Sequence, residues 1–141
     1  DYWFRTGDVA RIERDGSYTF IDRMADRIRV RGENLSSFQV EDLFNKHPAV
    51  SMCAAFPVRA AVGEEDDIVL YAVPVTSGSD IAAELEVWSR DNVPKFMRPR
   101  YIRIIPELPR TQTNKVEKFK LRQMFATERA FSTSPEERQN I

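Results

Sequence analysis

VSMCAAFPVRAAVGEEDDIVLYAVPV, residues 50–75, decides the fold. Residues 50–58 and 68–75 are largely apolar runs of strand length, the pattern of strands buried on both faces, so both are expected as central strands of one sheet. Between them lies an acidic loop, Gly63-Glu64-Glu65-Asp66-Asp67, to which no chemistry is assigned. Upstream, Ser36-Ser37-Phe38-Gln39 has capping-box spacing, with Ser36 as N-cap and Gln39 three positions on. Val40, Leu43 and Phe44 then line one helical face, and His47-Pro48 ends the helix. Downstream, residues 76–80 form a polar linker whose Asp80 can cap a helix. In that helix Ile81, Leu85 and Trp88 fall at i, i+4 and i+7, which makes Trp88 a core residue. Residues 92–99 break the pattern with two prolines, and residues 101–105 supply a third strand.

Farther out, residues 9–23 read as two strands around Asp15-Gly16, a strong hairpin signal. In residues 27–31, Ile28 and Val30 alternate with Arg27, Arg29 and Arg31, as expected of a half-buried strand turning at Gly32. The C-terminal portion holds LPRTQTNKVEKFKLR, residues 108–122. Thr111, Gln112, Thr113 and Asn114 compete for backbone hydrogen bonds as turn formers, which places Lys115 on an exposed loop just before a helix. There it offers one positive charge to an anion, or is an ordinary solvated lysine. Leu121, Met124 and Phe125 form the packing stripe of that last helix, and a polar tail without fixed structure follows from about Ser132. The expected fold is α+β: a small sandwich with a central sheet of about three strands and helices on both faces, preceded by β-hairpins.

Phe96-Met97-Arg98-Pro99 admits two readings. An aromatic and an arginine two apart on an extended segment point the same way and can grip a planar base. Otherwise Phe96 fills the core and Arg98 lies in water.

Five motifs resemble those of the AMP-forming adenylating enzymes, the family of acyl-CoA synthetases, amino-acid adenylation domains and luciferases. LPRTQTNK is similar to the C-terminal signature L-P-[RK]-T-x-x-G-K, with Asn114 where glycine is common. The resemblance implies that Lys115 bridges the substrate carboxylate and the α-phosphate of ATP. Thr6-Gly7-Asp8 resembles the T-G-D motif, which implies that Asp8 holds the ribose of the adenylate. Asp22-Arg23-Met24-Ala25-Asp26 resembles the hinge motif, which puts Arg23 with ATP or AMP and makes Ala25 the pivot of a mobile C-terminal domain. Gly32-Glu33-Asn34-Leu35-Ser36 is similar to the G-E-N-[IVL]-S loop that lines the pantetheine tunnel of many acyl-CoA synthetases, including carnitine-CoA-ligase-like and aryl-CoA-ligase-like members. Glycine would let the backbone approach the thin thioalkyl arm, or it serves the turn alone. Lys95-Phe96-Met97-Arg98-Pro99 resembles the K-F-x-[RVK]-P element that flanks the adenine of CoA. The implied CoA-binding residues are Arg31, Gly32, Glu33, Phe96 and Arg98.

On this resemblance residues 1–22 end an N-terminal adenylate-binding domain, 23–27 form the hinge, 28–126 the lid and 127–141 the tail. ATP and CoA are the expected substrates, with a carboxylic acid, and Mg2+ is expected with ATP, bound mainly by the N-terminal domain. A start at Asp1-Tyr2-Trp3, with no initiator methionine, is expected of a C-terminal piece of a longer protein that is inactive alone. Transfer to a carrier-protein pantetheine is the enzymatic alternative. An RNA- or nucleotide-binding module using the arginine-rich hairpin is the non-enzymatic one, disfavoured by a net charge of −1.

One cysteine, Cys53, excludes an internal disulfide and reads as a small buried hydrophobe, and one histidine, His47, leaves too few soft ligands for zinc. At the end of its helix His47 is expected to cap rather than catalyse. No apolar run has transmembrane length, and the cytoplasm is the default compartment.

Overall fold

The computed structural model describes residues 8–23, 27–60 and 63–132. The chain divides into two compact units, residues 1–106 and 107–141.

In the first unit, strands β1 (Asp8–Ile12) and β2 (Tyr18–Arg23) pair antiparallel, with a register shift between Val9 and Ala10. Their turn is closed by Gly16 at φ 87°, the left-handed conformation that glycine adopts without steric cost. Asp15 accepts from the Ser17 hydroxyl at 2.6 Å and from its amide at 2.9 Å, and these two bonds hold the exposed carboxyl below its ordinary pKa. A second hairpin pairs β3 (Ile28–Val30) with β4 (Glu33–Leu35) through a two-residue loop, Arg31-Gly32.

Helix α1 (Ser37–Asn45) starts where its sequence dictates. The Ser36 hydroxyl accepts from the Phe38 amide and the Gln39 side chain accepts from the Ser36 amide, a complete capping box. Strands β5 (Val50–Arg59), β6 (Asp66–Pro74) and β7 (Tyr101–Ile104) form the three-stranded sheet in the order β5-β6-β7. β5 and β6 are an antiparallel hairpin, whereas β6 and β7 run parallel and are joined through helix α2 (Ala82–Asn92), the crossover that parallel strands require. Only β6 is therefore central. β5, expected as central, is an edge, and its apolar run is explained by covering rather than by a second strand. The buried Glu41 of α1 reaches over it and accepts the Ala55 amide at 2.9 Å, which satisfies a backbone donor that would otherwise lie buried and unpaired.

Val40 and Phe44 of α1, Leu85 of α2, Ile28 of β3 and the β6 residues Ile68, Leu70 and Ala72 belong to one buried cluster. Both helices of this unit thus pack on one face of the sheet. Phe44 is fully buried and meets the Trp88 ring edge-on at 5.6 Å. Truncating such a side chain costs about 3–5 kcal/mol, so Phe44 is a principal tie between α1 and the core. Ala54, Phe56, Val69 and Tyr71, whose positions alternate with that cluster, are buried too, with Phe56 and Tyr71 stacked at 6.0 Å. The C-cap of α1 is Lys46 rather than His47; His47 Nδ1 instead accepts the Ala49 amide just past the helix at 3.1 Å, while Nε2 lies 3.6 Å from Glu84 and the ring packs edge-on against Trp88. Cys53 is buried, and its thiol lies 3.3 Å from Asn45 Oδ1 and 3.4 Å from the Glu41 carbonyl.

The second unit contains a tight loop and helix α3 (Lys118–Ser132). Leu121 and Phe125 are buried, but Met124, expected in the same stripe, is 46% exposed. Its position lies one step off the i, i+4 line that joins the other two. The helix continues to Ser132, so residues 127–132 are helical rather than tail.

Candidate functional site

The loop that carries Lys115 is built by its own residues. Arg110 and Val116 pair as an isolated antiparallel bridge, and the Thr111 amide donates to the Lys115 carbonyl at 2.8 Å. Inside the loop the Asn114 amide donates to the Thr111 carbonyl at 2.9 Å, and the Lys115 amide donates to Thr111 Oγ1 at 3.2 Å. Asn114 has φ 67° and accepts from the Arg110 guanidinium at 2.8 Å. That conformation explains the departure from the common glycine, since asparagine is among the few side-chain-bearing residues that enter the left-handed region readily. Lys115 itself is exposed, with its backbone fixed on both sides.

Arg31 and Gly32 form the other turn, at φ 51° and 76°. Two consecutive positive φ values between paired strands are the signature of a type I′ turn. Gly32 takes this conformation freely, whereas an arginine there costs about 1–2 kcal/mol. Two carboxylates from the acidic loop offset the strain: Glu65 Oε1 accepts the Arg31 amide at 2.6 Å, and Asp66 Oδ2 accepts the Arg29 amide at 2.8 Å. No sequence signal marked these two residues, because their partners lie 34 and 37 positions away.

The Arg31 guanidinium sits 5.9 Å from the centre of the Phe96 ring, within cation–π range. Phe96 lies in a short 3-10 turn (Lys95–Met97) and is 41% exposed, while its neighbour Met97 is buried. Neither reading of this segment holds as stated. The core is filled by Met97, and Arg98 is no second jaw beside Phe96. Its Nε donates to the carbonyls of Val93 at 2.9 Å and Ser89 at 3.2 Å, and its Nη2 to Arg90 at 2.7 Å. It therefore satisfies the open carbonyls at the end of α2. The basic partner of Phe96 is Arg31, from a motif far away in sequence.

Glu33 is exposed at the start of β4, opposite Val30. Asp8 and Arg23 stand directly across the β1–β2 ladder from one another. Ala25 lies outside the described residues. Among the described residues no three His, Cys, Asp or Glu side chains converge as a metal site would need. Nor is any described helix long and apolar enough to cross a membrane.

Residues 39–115 match the model of the family described as AMP-binding enzyme C-terminal domain. The chain is 36% identical over 122 residues to the peroxisomal trans-cinnamate:CoA ligase of Petunia hybrida, covering 86% of this chain and 21% of that protein. It is 33% identical over 124 residues to the probable acyl-activating enzyme 4 of Arabidopsis thaliana, covering 88% and 23%. In structure it is similar to the amide bond synthetase McbA of Marinactinospora thermotolerans, with a TM-score of 0.68 and 28% identity, covering 87% of this chain and 25% of that one. The chain thus spans less than a quarter of the length of these curated relatives. With its family match, its three-stranded mixed sheet and its two fixed turns, the chain belongs to the AMP-binding enzyme C-terminal domain family, whose members here include acyl-CoA ligases.

Proposed function

We propose that this chain is the C-terminal lid of an acyl-CoA synthetase. In the first half-reaction a carboxylate oxygen attacks the α-phosphorus of ATP, forming the acyl–phosphate bond as pyrophosphate leaves. In the second the CoA thiolate attacks the acyl carbon and AMP departs. Lys115, exposed on a braced loop, neutralises the charge that accumulates between carboxylate and phosphate, which is electrostatic stabilisation rather than proton transfer. Asp8 and Arg23, opposite each other on one ladder, serve the ribose and phosphate side. The chain before residue 23 closes the adenylate-binding domain, Ala25 is the pivot, and the lid begins with β3. After the swing the lid presents Gly32 and Glu33 along the pantetheine arm, with Arg31 and Phe96 beside the adenine.

The observation that carries this reading is the approach of Arg31 to Phe96, which joins two CoA-type motifs into one surface. A guanidinium over an exposed aromatic ring suits a planar, phosphate-bearing ligand. The names of the relatives leave the acceptor open between a thiol and an amine, and a carrier-protein pantetheine is a third candidate. The test is mass spectrometry of the full-length protein with ATP and a panel of carboxylic acids, offering CoA, a pantetheinylated carrier or an amine. Acyl-CoA as the dominant product is expected. Adenylate that turns over only with an amine or a carrier would overturn the CoA assignment.

A further inference from the structure

We propose that Glu65 and Asp66 are positioning residues for CoA, acting through the backbone of the β3–β4 hairpin; this rests on the reading of the Arg31–Gly32 turn as a CoA-binding element. In a hairpin with a two-residue loop the flanking residues, Val30 and Glu33, bond to each other. Hydrogen-bonded and non-bonded pairs alternate along an antiparallel ladder, so the Arg29 and Arg31 amides both face away from β4. That edge would ordinarily be met by another strand or by water. Here it is met by two consecutive carboxylates, Asp66 on Arg29 and Glu65 on Arg31, each bond short and charge-assisted.

The acidic pair is itself held. Asp66 opens β6 opposite Arg59, and the Glu65 carbonyl accepts the Ala60 amide at 3.2 Å. Asp67, the next residue, lies 3.6 Å from Arg100, just past the Phe96 segment. Residues 65–67 thus reach the turn on one side and the approach to β7 on the other. Backbone geometry determines where a side chain starts, so fixing the Arg31 amide fixes the point from which its guanidinium reaches the Phe96 ring at 5.9 Å. A left-handed arginine persists only where its surroundings over-determine it, and Glu65 supplies that constraint.

The experiment uses the full-length protein with Glu65→Ala, Glu65→Gln, which keeps an acceptor oxygen, and Glu64→Ala, a neighbouring exposed charge. Two quantities are read: amide hydrogen exchange at Arg31, and the CoA dependence of thioester formation from supplied acyl adenylate. Losing a charge-assisted bond should make Glu65→Ala exchange faster at Arg31 and raise KM for CoA about tenfold. Its kcat and its adenylation rate stay near wild type; Glu65→Gln recovers most of the loss and Glu64→Ala shows none. Unchanged exchange in Glu65→Ala, or faster exchange with an unchanged KM, overturns the proposal. A wild-type protein that makes adenylate but no thioester would instead remove the CoA reading, while the exchange comparison still decides whether Glu65 holds the turn.

Discussion

The Lys115 loop and the Arg31–Gly32 turn each place a residue with positive φ beside the side chain proposed to act, and they are stabilised from different distances. Every bond described within the Lys115 loop joins residues between 110 and 116. The Arg31–Gly32 turn leans on carboxylates more than thirty positions away. A locally closed loop can hold one charge at one point whatever surrounds it. A turn held from afar can be adjusted by its support, which suits the proposed role of admitting a long flexible ligand rather than a single phosphate.

The first way to break this comparison is Lys115→Ala in the full-length enzyme. Losing one donor that acts on transition-state charge costs about 3–4 kcal/mol, or roughly a hundred- to thousandfold in rate. Adenylation should fall by that factor. Thioester formation from supplied acyl adenylate should run near the wild-type rate, and the unfolding midpoint should barely move because Lys115 is exposed. Paired single-turnover assays with thermal melts decide it. If both half-reactions slow together, the lysine is not specific to the first.

A reciprocal outcome is expected at the other turn. Phe96→Ala removes an exposed stacking face, and a base–aromatic contact is typically worth about 1–3 kcal/mol. KM for CoA should therefore rise by about tenfold or more with adenylation unchanged. Equal losses in both half-reactions would mean that Phe96 supports the fold instead.

This contrast also shows what was legible in the chain. The Ser36 box and the Asn114 turn were readable because their hydrogen bonds join residues within four positions. The sheet was readable from two apolar runs, but not the edge position of β5, since an apolar strand looks the same whether a second strand or Glu41 covers it. A helical stripe at i, i+3 and i+4 includes Met124, but only Leu121 and Phe125 on its i, i+4 line are buried. Neither reading of Phe96 and Arg98 anticipates the structure, because spacing shows which way side chains leave the backbone, not which carbonyls wait nearby; α2 ends within reach of Arg98 and claims it. Glu65 and Asp66 had no local signal at all.

A third prediction separates backbone from clearance at Gly32. Asparagine accepts the left-handed conformation, and a Cβ built at Gly32 meets no atom within 4 Å, so Gly32→Asn should cost the fold at most about 1 kcal/mol. If a thioalkyl arm passes over this glycine, thioester formation should nevertheless slow by about tenfold, as an added side chain misplaces the reacting thiol. An unimpaired second half-reaction would show that Gly32 serves the turn alone.

The smallest effect is expected from the opposite exchange, Asn114→Gly. Glycine enters the left-handed region without the steric cost that asparagine bears at φ 67°, which favours the variant by a few tenths of a kcal/mol to about 1. Against this, the variant loses the exposed bond from Arg110, worth about 0.5–1.5 kcal/mol, and gains freedom in the unfolded chain. The terms are of similar size and opposite sign. The bridge between Arg110 and Val116 and the amide bonds around Thr111 do not involve the Asn114 side chain, so the Lys115 backbone should stay where it is. Adenylation within about twofold of wild type and a nearly unchanged melt are expected. Asn114→Ala, which loses the Arg110 bond and pays the full left-handed penalty, should melt earlier and adenylate more slowly. Should Asn114→Gly behave like Asn114→Ala, the Arg110–Asn114 bond, rather than the conformation of residue 114, is what braces the lysine.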